Sequence, residues 1–156
     1  MTVLNGVLVT AGLLSAGVVY GTDLFFAVVG RTALTRTSEG ALTETMGRLH
    51  EVGDARMPLF GAAAFLSTLT LVFTTGLGSR PSLFAGLAVV GLATQLTAYL
   101  RVAQPVNRAQ TTAARQGVVP PAARALQTRW DSVIDLRAVG MLLGMAGLSL
   151  CALTVR

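Results

Sequence analysis

The chain alternates between long apolar runs and shorter stretches that hold nearly all of its charge. Four runs stand out, at about 3–29, 58–78, 82–100 and 138–155. Each is close to the ~20 residues that an α-helix needs to cross a bilayer's hydrocarbon core. Polar positions inside them are scattered Thr, Ser and Gly. A stripe recurring every three or four residues, the mark of a helix half-buried in a soluble core, is missing. The pattern predicts an all-α fold, a four-helix transmembrane bundle forming one domain over residues 1–156. No basic residue precedes the first run, which is longer than a signal-peptide core and has no clear cleavage motif, so it is expected to be a retained helix.

The polar segments carry helical signals of their own. In "LTRTSEGALTETMGRLHEVGDARMP", Leu42, Met46 and Leu49 fall at i, i+4 and i+7, and Glu44 and Arg48 form an i,i+4 pair. Pro58 fits the first turn of the second membrane helix, where a missing N–H is tolerated. The other long segment starts "RVAQPVNRAQ", is broken at Pro120 and Pro121, and resumes as a helix expected to run straight into the fourth span. Short helices are thus predicted in loops 1 and 3.

Composition agrees with a membrane protein: 53% of residues are hydrophobic and 12% charged, about half the charged share of an ordinary globular domain. All twelve basic residues are arginines. Ten lie in the segments 31–56 and 101–137, against only Arg80 and Arg156 on the opposite side. By the positive-inside rule both long loops are expected in the cytoplasm, with both termini outside. The net charge of +5 then serves orientation and headgroup contact. No basic face with interleaved aromatics argues for nucleic acid. Cys151, the single cysteine, lies in the last apolar run and has no intrachain partner.

Small residues and isolated polar groups mark the helix interfaces. Gly17 and Gly21, and Gly140 and Gly144, are small-xxx-small pairs, suited either to contacts within the bundle or to a homo-oligomer seam. Gln95 and Tyr99 share one face of the third helix and either join helices or line a pocket. Asp23 is an acid within the first apolar run, with Tyr20 on its face. Its depth near the cytoplasmic edge places Arg137 first and Arg101 second as partners, for a functional site or a structural ion pair. His50 is the lone histidine, so a multi-histidine metal site is excluded; Glu51 and Asp54 beside it make only a weak supplementary ligand set, and no metal is expected. It reads as a solvated loop residue or a general base. Trp130, the sole tryptophan, reads as an interfacial anchor or a wall against a flat aromatic ligand. No phosphate loop, dinucleotide fingerprint or Ser/His/Asp arrangement is present.

Three stretches, "ETMGRLHEVGDARMPLFG", "QPVN" and "RWDSVIDLR", resemble a family of small four-helix membrane proteins similar to anthrone oxygenases. The match rests on Met46, Pro58, Phe60, Pro105, Asn107, Trp130 and Arg137. His50 stands where that family commonly has Asn, and Ile134 and Asp135 where it has Asn or His. The resemblance implies cofactor-independent oxygenation of a lipophilic polyketide-type aromatic, anthrone to anthraquinone. His50 or Asp135 would be the base, and Arg137 and Asn107 would stabilise the oxyanion. Trp130, with Tyr20, Asp23, Gln95 and Tyr99, would contact substrate arriving from the lipid bilayer. The alternative is a non-catalytic membrane subunit, or a lipid- or small-molecule-binding protein.

Overall fold

A computed structural model describes residues 2–155, and every described element is helical. Helix α1 (Val3–Phe25) starts where the Thr2 hydroxyl accepts the Asn5 N–H at 3.2 Å, satisfying one of the free donors of the first turn. It continues without interruption through a π-helical turn, Phe26–Gly30, into the short α2 (Arg31–Leu34). After a four-residue turn, Ser38 caps α3 (Glu39–Thr74), a single helix of 36 residues. Gly76 and Gly78, both at positive φ, make the tight reversal that only glycine adopts without strain. Helix α4 (Arg80–Ala98) then runs through a second π turn, Tyr99–Ala103, into α5 (Gln104–Gln116). Gly117 ends α5 in the left-handed conformation, and α6 (Ala123–Asp131) and α7 (Ile134–Thr154) complete the chain.

Four of these helical runs, Val3–Leu34, Glu39–Thr74, Arg80–Gln116 and Ala123–Thr154, are long and apolar enough to cross a membrane. At ~1.5 Å per residue, α3 alone is ~54 Å long, well over the ~30 Å of a hydrocarbon core. The excess gathers at one end of the bundle. There the first half of α3 packs with α5 and α6 into a polar head, while the start of α1 and the end of α7 lie at the other end.

The core is built in layers. Val9, Leu71, Ala85, Ala88, Leu148 and Cys151 fill the end near the termini. Ala16, Val19, Ala64, Leu92 and Met141 fill the middle, and Trp130, Ile134, Val106 and Ala103 lie under the head. Outward positions such as Leu14, Leu66, Phe73 and Leu83 are apolar and exposed, the reverse of a soluble helix pattern. Helices α4 and α7 approach most closely. A Cβ on Gly91 would lie 2.5 Å from the Gly140 carbonyl oxygen and 2.7 Å from the Gly144 nitrogen. The Gly140/Gly144 pair therefore serves an intrachain contact, whereas a Cβ on Gly21 would meet nothing within 4 Å.

Three local expectations are corrected. The segment before Pro58 is not a separate short helix: it is the first half of α3, and Pro58 sits inside that helix. The proline removes only one N–H, the one that would bond the Asp54 carbonyl, and the flanking turns persist. In the same segment Leu49 is exposed and His50 is the buried residue. Nor does the chain run straight from Ala123 into the last span. A two-residue turn at Ser132–Val133 interrupts the helix between α6 and α7.

Candidate functional site

Where the head meets the apolar bundle, polar side chains from α1, α3, α4, α5, α6 and α7 meet in the protein interior. Asp23, at the last turn of α1, is 1% exposed and accepts a hydrogen bond from Arg137 Nη2 of α7 at 2.5 Å. Gln95 Nε2 of α4 reaches the other carboxylate oxygen at 3.4 Å. The Arg137 guanidinium carbon also lies 5.7 Å from the Tyr99 ring centroid and 5.4 Å from that of Trp130, within range of a cation–π attraction. The cation is thus held by one carboxylate and two aromatic faces.

A second chain of bonds runs beside it. Asp54 Oδ1 accepts from the Tyr99 hydroxyl at 2.9 Å and from Asn107 Nδ2 at 2.8 Å. The Asn107 carbonyl oxygen accepts the Trp130 indole N–H at 2.9 Å. The indole stands edge-on to Phe26, 5.2 Å between centroids, and is tilted against the His50 ring at 5.6 Å. Farther into the head, Gln110 donates to Gln127, which donates to Asp131.

Several buried atoms in this region have no partner among the described residues: His50 Nε2, Arg137 Nε, Gln110 Oε1 and Thr43 Oγ1. Buried polar atoms are nearly always bonded; the His50 and Gln110 side chains lie close enough to partner one another, which leaves Arg137 Nε and Thr43 Oγ1. His50 offers a buried ring nitrogen beside Gln110. Arg137 offers an N–H not committed to Asp23. Trp130 is the flat surface between them. Gly47 makes the closeness of α3 and α5 achievable, since a Cβ there would lie 2.6 Å from the Gln110 carbonyl oxygen.

Of the residues expected to form a site, Asp23, His50, Gln95, Tyr99, Asn107, Trp130 and Arg137 come together. Asp135 and Tyr20 do not. Asp135 is on the outer surface, its side chain 64% exposed and bonded to Arg31 at 2.7 Å. It precedes Arg137 by two residues, which puts the two on different faces of α7. Tyr20 packs against the middle core layer with Met57 and Phe60, about a turn from Asp23. Asp54, weighed from the sequence only as a weak metal ligand beside His50, is the acceptor that joins α3 to the second π turn and to α5. Its signal was its place one turn after His50 and one turn before Pro58 on a single helix. No group of three or more His, Cys, Asp or Glu among the described residues could hold a metal ion.

Fold and site together define an all-helical bundle with a buried ion pair and an aromatic-lined polar cluster at one end. Comparison with protein-family models, curated proteins and solved structures finds no match for the chain.

Proposed function

We propose that this protein is a multi-pass membrane enzyme that oxygenates a lipophilic, electron-rich aromatic of the anthrone type, without a cofactor. Its polar head and both long arginine-rich segments would face the cytoplasm, as the ten-to-two distribution of arginines favours. One observation carries the chemistry: the His50 and Trp130 rings and the Arg137 guanidinium converge in a buried cluster, with Arg137 Nε unpartnered.

An anthrone methylene is acidic because its carbanion is an aromatic enolate. His50 would take that proton as general base, and Arg137 with Asn107 would stabilise the enolate oxygen. The enolate carbon would bond to dioxygen, which accepts its electrons, and proton return would give a hydroperoxide. Loss of water then forms the new ketone: one oxygen atom ends in the product, the other in water, and the methylene carbon is oxidised. Trp130 would stack against the ring system, and the surrounding apolar helices would keep water from the enolate.

A second reading has its own observation. Asp23 with Arg137, and Asp54 with Asn107, Tyr99 and Trp130, satisfy one another within the protein, as a structural network in a non-catalytic membrane subunit or small-molecule-binding protein would. Oxygen uptake separates the two. Membranes carrying the wild-type protein and given an anthrone should consume oxygen faster than empty membranes. Arg137→Gln and His50→Gln should each reduce that excess at least tenfold. No excess over empty membranes supports the non-catalytic reading, and an unchanged rate in either variant removes that residue from the mechanism.

A further inference from the structure

A shallow groove of about 540 Å³ runs along the outside of the bundle, between α4 with its π turn and the start of α7. Its walls include Val90, Ala93 and Leu136, and Arg101 stands at its head end. The two threonines in it are already engaged, Thr94 donating to the Val90 carbonyl at 2.9 Å and Thr97 to that of Ala93 at 2.7 Å. Neither hydroxyl has its proton to offer a ligand. The groove is a hydrocarbon surface with one cation at its end.

That cation is uncommitted. Arg31 is paired with Asp135, Arg48 and Arg115 with Glu51, and Arg137 with Asp23. Arg101 is exposed and makes no ion pair or side-chain hydrogen bond among the described residues. From Val90 to Arg101 the helix rises ~16 Å, matching the ~15 Å hydrocarbon depth of one leaflet. The neighbouring acid on α7, Asp135, is already neutralised by Arg31. We infer that this groove is a binding site for one anionic glycerophospholipid, with its phosphate on Arg101 and one acyl chain laid along α4 toward Val90. A second copy of the chain fits less well, because Asp23, the acid within its apolar runs, is buried and paired with Arg137. The inference needs the bilayer placement proposed above but is independent of the oxygenation chemistry.

Native mass spectrometry of the detergent-purified protein tests it, with dioleoylphosphatidylglycerol and dioleoylphosphatidylcholine as probes. The wild type should retain one phosphatidylglycerol with about fivefold preference, the effect of the ~1 kcal/mol expected of one basic residue beside an anionic headgroup. Arg101→Gln should bind the two lipids equally. Ala93→Phe should weaken both, and so should Thr97→Phe, whose exposed position makes it independent of folding. Arg108→Gln, an exposed arginine on the same helical run and off the groove, should bind as the wild type does. Equal binding of both lipids by the wild type would overturn the site, as would an equal loss in Arg101→Gln and Arg108→Gln. A dimer abolished by Ala93→Phe would assign the groove to a second copy instead. Release of the protein from membranes by carbonate without detergent would overturn the bilayer placement itself.

Discussion

Replacing Asp23 by Asn keeps the shape of the side chain and its contact with Gln95 while removing the charge that faces Arg137. Both partners are almost fully enclosed, Asp23 at 1% and Arg137 at 8% exposure, so water can replace neither. Breaking a buried pair by neutralising one member costs about 3–5 kcal/mol, because the other charge is left without compensation. Asp23→Asn belongs at the low end, about 3 kcal/mol, since the guanidinium keeps the faces of Tyr99 and Trp130. Arg137→Gln belongs at the high end, about 5 kcal/mol, because the carboxylate would keep only the 3.4 Å contact to Gln95. The double variant contains no buried charge and two amides that can bond one another. It should be less destabilised than the sum of the singles by at least ~2 kcal/mol. Unfolding by dodecyl sulfate in mixed micelles measures all three. Trp130 is the only tryptophan and lies against Arg137, so its fluorescence reports the site directly. An Asp23→Asn variant within ~0.5 kcal/mol of the parent, or strictly additive variants, would refute the account of the pair.

Other perturbations follow from the same geometry. Asp54→Ala releases the Tyr99 hydroxyl and Asn107 together; it should lose about 2 kcal/mol and shift Trp130 emission to the red, whereas an unmoved spectrum would separate Asp54 from the indole. Gly91→Ala drives a Cβ into the α7 backbone and should lower thermal stability by about 1–3 kcal/mol; Gly21→Ala meets open space and should be neutral or slightly stabilising, and equal effects would contradict the close approach of α4 and α7. For topology, Gln116→Cys in a Cys151→Ala background should react with a membrane-impermeant maleimide only after the cytoplasmic face is opened. Gln116 is preferred over Gly117, whose positive φ disfavours any side chain. Labelling of intact cells would reverse the proposed orientation.

The four apolar runs were legible because length and composition suffice to read a helix that faces outward with apolar side chains. The Asp23–Arg137 contact was legible too, since counting turns from the run boundaries put an acid and a base at one depth. The role of Asp54 was hidden by Pro58. Placing the proline in the first turn of a new helix assigned Asp54 to a loop, although a proline inside a helix removes just one bond. Asp135 entered through the family resemblance alone: two residues before Arg137 on one helix, it lies ~200° around the axis and so on the outer surface. The π turns carry little signal beyond Pro105, which cannot donate to the Arg101 carbonyl four residues earlier.

Those two π turns are the places where the cluster tolerates a change of length, which no substitution would reveal. Each accommodates one residue more than a regular helix would use. Deleting Leu100, which is exposed, would let the run from α4 to α5 close into an unbroken α-helix. Everything beyond it would keep its facing, because a π turn spends five residues on about the rotation that an α turn makes with four, and Asn107 and Gln110 would stay on the inner face. The same holds for Val28 and the stretch that delivers Arg31 to Asp135. A one-residue gap in the regular parts of these runs would instead turn the downstream faces by ~100° and dismantle the polar interior. Among similar bundles, a residue missing from 26–30 or 99–103 is therefore compatible with a shared site, whereas one missing from the helices on either side is not.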